Sequence, residues 1–235
     1  LFGLSILLVI SNIIFPIELD IDNFSIDVEI DGELLTNPFF GGFNKPKVRW
    51  LDWNQDGYDD LFVTDGDGYI KLYERYSSDT INKFELKTTS FGEIQCGNWF
   101  FINDFDLDGD FELIVQDSDN PTRLLYFENN DNTFINMGNI IRSDGGYVES
   151  PLQMTPTFTD IDLDQDYDFF TCTQSGNVIF YENLESSIDN IPIYEYKSSF
   201  WQEISIVGTP DLNRHGAASI SFIDIDLDGD LDLSW

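Results

Sequence analysis

The sequence predicts an all-β fold arranged as a β-propeller, with three complete four-stranded blades and the start of a fourth. Three observations carry this reading. An acidic stretch of fixed pattern recurs four times, starting at Asp52, Asp104, Asp160 and Asp224. Its copies lie roughly 50–65 residues apart, a spacing found in propeller-type repeats. Between them run short segments rich in β-branched and aromatic residues, bounded by turn signals, and no helical period is visible.

Taken in order, the chain opens with a charge-free apolar stretch, Leu1 to Pro16. Residues 1–17 read as the h-region of a secretory signal peptide. The stretch is short for a membrane span, which needs about 20 residues; an anchor helix or a buried strand are the other readings. Residues 18–38 form a leading strand and linker, in which Phe24 to Ile30 alternate apolar and polar as in a half-buried strand. The first blade occupies 39–92. Val48–Leu51 enters the acidic loop, Leu61–Thr64 leaves it, Asp65-Gly66-Asp67-Gly68 turns the chain, and Ile70–Glu74 and Lys83–Lys87 complete the sheet. The second blade, 93–150, repeats this with Phe100–Asn103, Leu113–Gln116, Arg123–Asn129 and Thr133–Ile141. The third, 151–210, uses Thr157–Thr159, Phe169–Thr173, Val178–Asn183 and Ile193–Lys197. The fourth, 211–235, starts its strands near Ala218 and stops at Trp235, so the chain reads as a piece of a longer protein with further domains.

The repeated stretch has the chemistry of a loop around a hard cation. Oxygen-bearing side chains occupy positions 1, 3, 5 and 9, and position 7 can offer its backbone carbonyl. The candidate ligands are Asp52, Asn54, Asp56, Tyr58 and Asp60 in the first copy, and Asp104, Asp106, Asp108, Asp110 and Glu112 in the second. The third supplies Asp160, Asp162, Asp164, Asp166 and Asp168, and the fourth Asp224, Asp226, Asp228, Asp230 and Asp232. Calcium takes six to eight oxygens in flexible geometry and is the cation expected. An EF-hand is excluded, because its bidentate Glu at position 12 is replaced by Val63, Val115, Thr171 and Trp235, and the flanks are strands. Position 6 is Gly57, Gly109 and Gly229, but Gln165 in the third copy, which predicts a strained and weaker site there. Asn54 makes the first loop less charged.

Composition narrows the function. The formal net charge is −33, and the four loops hold close to half of the 44 acidic residues. With only 11 Lys and Arg, nucleic acid is not an expected partner. Cys96 and Cys172 read as separate buried thiols rather than a disulfide framework. His215, the only histidine, reads as a loop residue. No nucleophile signature is present, and no catalytic residue is assigned. Trp50 and Trp53 hold apolar register positions and are expected in inter-blade packing; Trp99 and Trp201 fall outside that register, where stacking on sugar rings is the alternative to burial.

The four loops in register, with Thr155-Pro156-Thr157-Phe158-Thr159-Asp160, Phe127-Glu128-Asn129 and Tyr181-Glu182-Asn183, resemble FG-GAP/VCBS-type repeats, as in integrin α-subunit heads and secreted bacterial proteins. The resemblance covers 39–235. It implies a β-propeller with calcium loops between the first two strands of each blade. It also implies a secreted or cell-surface module for recognition, adhesion or scaffolding, not an enzyme, with an extracellular protein or glycan as partner and no membrane span in the mature chain. The alternative is a lectin-like accessory or scaffold part of a secreted polysaccharide-active enzyme.

Overall fold

The computed structural model describes residues 27–35, 42–78, 81–152, 154–188, 191–204 and 219–234. The apolar start, residues 24–26 of the leading segment, and His215 lie outside them. The chain divides into two compact units at Gly41–Gly42. In the first, β1 (Glu29–Ile30) pairs with β2 (Glu33–Leu34) around Asp31-Gly32, both at positive φ as a tight hairpin turn requires. The half-buried strand expected here is corrected. Among the described residues the two strands are two residues long and exposed, with Ile30 57% accessible, as suits a ribbon too short to build a layer of its own.

The second unit is a succession of antiparallel sheets. Strands β3 (Lys47–Leu51), β4 (Asp60–Thr64), β5 (Ile70–Ser78) and β6 (Ile81–Thr88) form the first, in chain order. Strands β7 (Phe100–Asn103), β8 (Glu112–Gln116), β9 (Leu124–Asn130) and β10 (Thr133–Asn139) form the second. Then β11 (Ile141–Arg142) leaves the second repeat and pairs in parallel with the last strand of the third sheet. That sheet otherwise comprises β12 (Thr157–Thr159), β13 (Asp168–Cys172), β14 (Val178–Ile188) and β15 (Ile191–Ser198). β16 (Ser221–Ile223) and β17 (Asp232–Ser234) make the last pair. The all-β expectation holds. Among the described residues the sheets are separate and do not join by strand pairing into a closed ring.

The central strands β8 and β13 are buried at every residue. Alternation explains how they serve two cores. Leu113 and Val115 of β8 pack with Phe62, Ile70 and Leu72 of the first sheet. Ile114, between them, packs with Phe169, Tyr181 and Tyr194 of the third. Phe170 and Cys172 point the other way again, into a core with Ile220, Phe222 and Leu233. Period-two side chains on a sheet covered on both faces give this directly. Cys96 and Cys172 are free and buried in these cores, as their composition suggested.

Single 3-10 turns at Phe91–Glu93 and Trp201–Glu203 follow the fourth strands of the first and third sheets. The alternatives left open for Trp99 are decided for burial, and the expectation for Trp50 changes. Trp99 is 1% exposed in the core between the second and third sheets, so no sugar can stack on it. Trp201 is half-buried against Phe170, Phe180 and Phe222. Trp50 does not pack between sheets: it is 55% exposed and touches Phe84 of its own sheet.

Candidate metal centres

Each acidic loop joins the first two strands of its sheet, so the hairpin fixes both ends of the ligand set. The four loops repeat one hydrogen-bond scheme. At position 1, Asp52 accepts the amides of Asp56 (3.0 Å) and Gly57 (2.9 Å). Asp160 accepts those of Asp164 and Gln165, and Asp224 those of Asp228 and Gly229. Asp104 accepts the amide of Gly109 at 3.2 Å. At position 5, Asp56, Asp108, Asp164 and Asp228 each accept the amide of position 7 through Oδ1. At position 3, Asn54 and Asp106 accept the amide of position 5. Side chains engaged this way with their own backbone are aimed at the loop's interior, and each carboxylate keeps lone pairs for a cation.

Position 9 opens the second strand and is buried in three of the loops, where Asp60 and Glu112 are fully covered and Asp168 is 1% exposed; Asp232 in the fourth is partly buried. The carboxylate at this position clamps the loop. Asp60 takes the amides of Trp53 (3.2 Å) and Arg75 (2.8 Å); Glu112 takes that of Phe105 at 2.7 Å; Asp168 takes that of Asn183 at 2.9 Å; Asp232 takes that of Ile225 at 3.0 Å.

The acids converge unequally. Ligand atoms within 4.8 Å of one another come from Asp104, Asp106 and Asp108, and again from Asp108, Asp110 and Glu112, so the second loop holds two overlapping trios. The third loop gathers Asp160, Asp162 and Asp164, and the fourth Asp224, Asp226 and Asp232. Asp166, Asp168, Asp228 and Asp230 stand outside those trios. In the first loop Asp52, Asp56 and Asp60 form no such trio: Asn54 contributes an amide oxygen, and Tyr58 lies under the Arg75 guanidinium at 5.3 Å.

Whether the residues fit a cation is decided by the buried oxygens. Glu112 Oε1, Asp168 Oδ2 and Asp104 Oδ1 are buried without a hydrogen-bond donor. A buried acceptor left unpaired is costly, and a buried carboxylate more so. Burial first, then the neighbouring carboxylates, pushes Glu112 up to about 9 and Asp168 up to about 7. Asp106 and Asp162 shift upward for the same reasons, and Asp230 chiefly because of the charge on Asp228. A divalent cation would satisfy the orphaned oxygens and reverse the repulsion, so the set fits a hard, oxygen-loving ion such as calcium.

Gln165 adopts φ 82°, as Gly57, Gly109 and Gly229 do at the same position with φ of 89°, 101° and 98°. Position 4 is also left-handed in every loop, at Gln55, Leu107, Leu163 and Leu227, a feature without any residue signal in the sequence. Left-handed backbone costs a non-glycine residue about 1 kcal/mol. Gln165→Gly is therefore expected to stabilise the protein by about that amount and to tighten the third loop. Thermal unfolding measures it; a lower melting temperature would mean the glutamine side chain outweighs its backbone strain.

Comparison with family models, with curated proteins and with solved structures returns no match. Fold and site together define an all-β protein with several antiparallel sheets, whose hairpin loops gather acidic groups that could hold a metal ion.

Proposed function

We propose that this chain is a calcium-stabilised β-propeller module of a secreted or cell-surface protein, acting in recognition, adhesion or scaffolding of an extracellular protein or glycan. The observation that carries the reading is the buried and unpartnered Glu112 Oε1 beside Asp108 and Asp110, at the end of a loop whose pattern occurs four times. Four solvated turns would have no reason to keep one ligand register, nor three of them to bury the ninth carboxylate. Calcium would neutralise the carboxylates and pin each hairpin; Asp104, Asp106, Asp108 and Glu112 would hold it in the second loop. Buried Trp99 removes one of the two tryptophans that favoured the lectin-like alternative. No helix among the described residues is long and apolar enough to cross a membrane.

Calorimetric titration should show three or four calcium sites, with affinities of about 10⁻⁴–10⁻³ M as in extracellular modules. No heat and no change in melting temperature in millimolar calcium would overturn the reading. Asp106→Asn gives a sharper test, because its effects should differ between conditions. Asn keeps an oxygen for the Asp108 amide, which Asp106 Oδ1 now accepts at 3.2 Å. In chelator the change removes repulsion, so stability should hold or rise slightly. In calcium it weakens a ligand, and the melting temperature should fall. Equal destabilisation in both conditions would make Asp106 a hydrogen-bonding residue only.

A further inference from the structure

The second repeat differs from the first and third on the strand that flanks its loop. In each of those two sheets a glutamate on the third strand is held by a lysine from the fourth. Lys87 bridges Glu74 and Glu85 at 3.0 and 3.1 Å, and Lys197 bridges Glu182 and Glu195. Both lysines sit at the same structural point, a bulge in the fourth strand. Lys87 is the residue skipped between the pairs Tyr73–Leu86 and Leu72–Thr88; Lys197 is skipped between Tyr181–Tyr196 and Phe180–Ser198. The second sheet keeps the bulge and changes the chemistry. Met137 is skipped between Phe127–Asn136 and Tyr126–Gly138, and Ile135 faces Glu128 where the other sheets have Glu85 and Glu195.

Glu128 is therefore a glutamate without the lysine of its counterparts. Its Oε2 is buried and takes no hydrogen bond; the Tyr126 hydroxyl is near but makes none of good geometry. Leu113 pairs with Phe127, which places Glu128 one step further along β9, level with Glu112 at the mouth of the loop. The charges it feels there are those of Asp106, then Asp108 and Asp110. Glu128 thus stands on the strand beside fully buried Glu112 and feels the charges of the loop, while lying outside the trios whose ligand atoms are within 4.8 Å of one another. Met137 and Ile135 stand where the other two sheets carry the bridging lysine and its second glutamate, so among the described residues Glu128 has no counterpart of that lysine.

We propose that Glu128 is a further ligand of the cation in the second loop, and that the replacement of the bridging lysine by Met137 makes this the tightest of the four sites. The inference rests on the loops binding calcium. It assigns a residue outside the repeated acidic stretch and orders the sites: the second first, and the first loop, with Asn54 and the nearby Arg75, below it.

The test is calcium titration of the full chain, following the highest-affinity class of sites by calorimetry. Glu128→Gln is expected to weaken that class about tenfold, or about 1.4 kcal/mol. Glu182→Gln, whose carboxylate is already held by Lys197, should leave it unchanged. Met137→Lys restores the residue type carried by the other two sheets and should weaken the class similarly while leaving Glu128 in place; it decides the matter if Glu128→Gln does not fold. An unchanged tight class in Glu128→Gln, together with its loss in Asp106→Asn, overturns the role of Glu128 and leaves the loop reading standing. Absence of any calcium binding in the wild type overturns both.

Discussion

The melting temperature of metal-free protein should fall as pH rises from about 5 to 8, while that of calcium-loaded protein should rise or hold. The sign follows from the shifts. Without metal, Asp168 titrates near 7 and Glu112 near 9, both raised by burial and then by adjacent carboxylates. In the unfolded chain such groups titrate near 4. Between these limits the native state binds more protons than the unfolded state, so its stability declines with rising pH. Calcium inverts this. Ligation requires the ionised carboxylates, so binding competes with protons and strengthens as pH rises. Binding to the native state alone adds RT ln(1 + [L]/Kd), about 1.4 kcal/mol per site at ten times Kd and about 6 kcal/mol if four loops fill. That is comparable to the whole stability of many domains. Unfolding scans across this pH range, on protein dialysed free of metal and on protein in millimolar calcium, should give diverging curves. A metal-free melting temperature that climbs between pH 5 and 8 would show that the buried acids have protein partners and do not wait for an ion.

Much of this site was legible because its information is local. A carboxylate at position 1 can reach the amides of positions 5 and 6 whatever the rest of the chain does, and all four loops show that reach or part of it. Strand pairs joined by those loops were equally readable: β7 and β12 match their expected bounds, and β4, β8 and β13 begin one residue earlier. What escaped was non-local. β11 breaks from β10 to pair with the next sheet, although Thr133 to Ile141 reads as one strand, because the partner lies some fifty residues on. The Met137 bulge is invisible without the register of β9 against β10. Trp99, outside the repeat register, is buried in a core that it shares with Ile114 and Phe169 from two other strands, and it meets Phe101, which no local pattern announces.

Trp50 and Trp53 look alike in the sequence, each in an apolar register position beside Asp52, and they should differ sharply on mutation. Trp53 sits between sheets. Its ring meets Phe91 at 5.0 Å and Phe62 at 6.2 Å on its own side, and Phe111 at 6.0 Å and Phe134 at 6.2 Å from the second repeat. Removing it leaves a void that four aromatic rings cannot all relax into, so Trp53→Ala is expected to cost about 3 kcal/mol, near the lower end for buried aromatics since the residue is not fully covered. Trp50 is more than half exposed, with one ring neighbour, Phe84 at 5.8 Å. Trp50→Ala should stay within about 1 kcal/mol. The residues two before the first loop acid in the later repeats explain the contrast. Ile102 and Phe158 pack against the preceding sheet, Phe158 on Phe101 and Phe105 of the second repeat, and Phe222 likewise meets Phe170 of the third. Trp50 holds that position in the first sheet of its own unit and is left more than half exposed. Chemical denaturation of both variants measures the difference. Equal losses would mean that Trp50 is covered in solution, and self-association followed by light scattering would then show whether a second copy covers it.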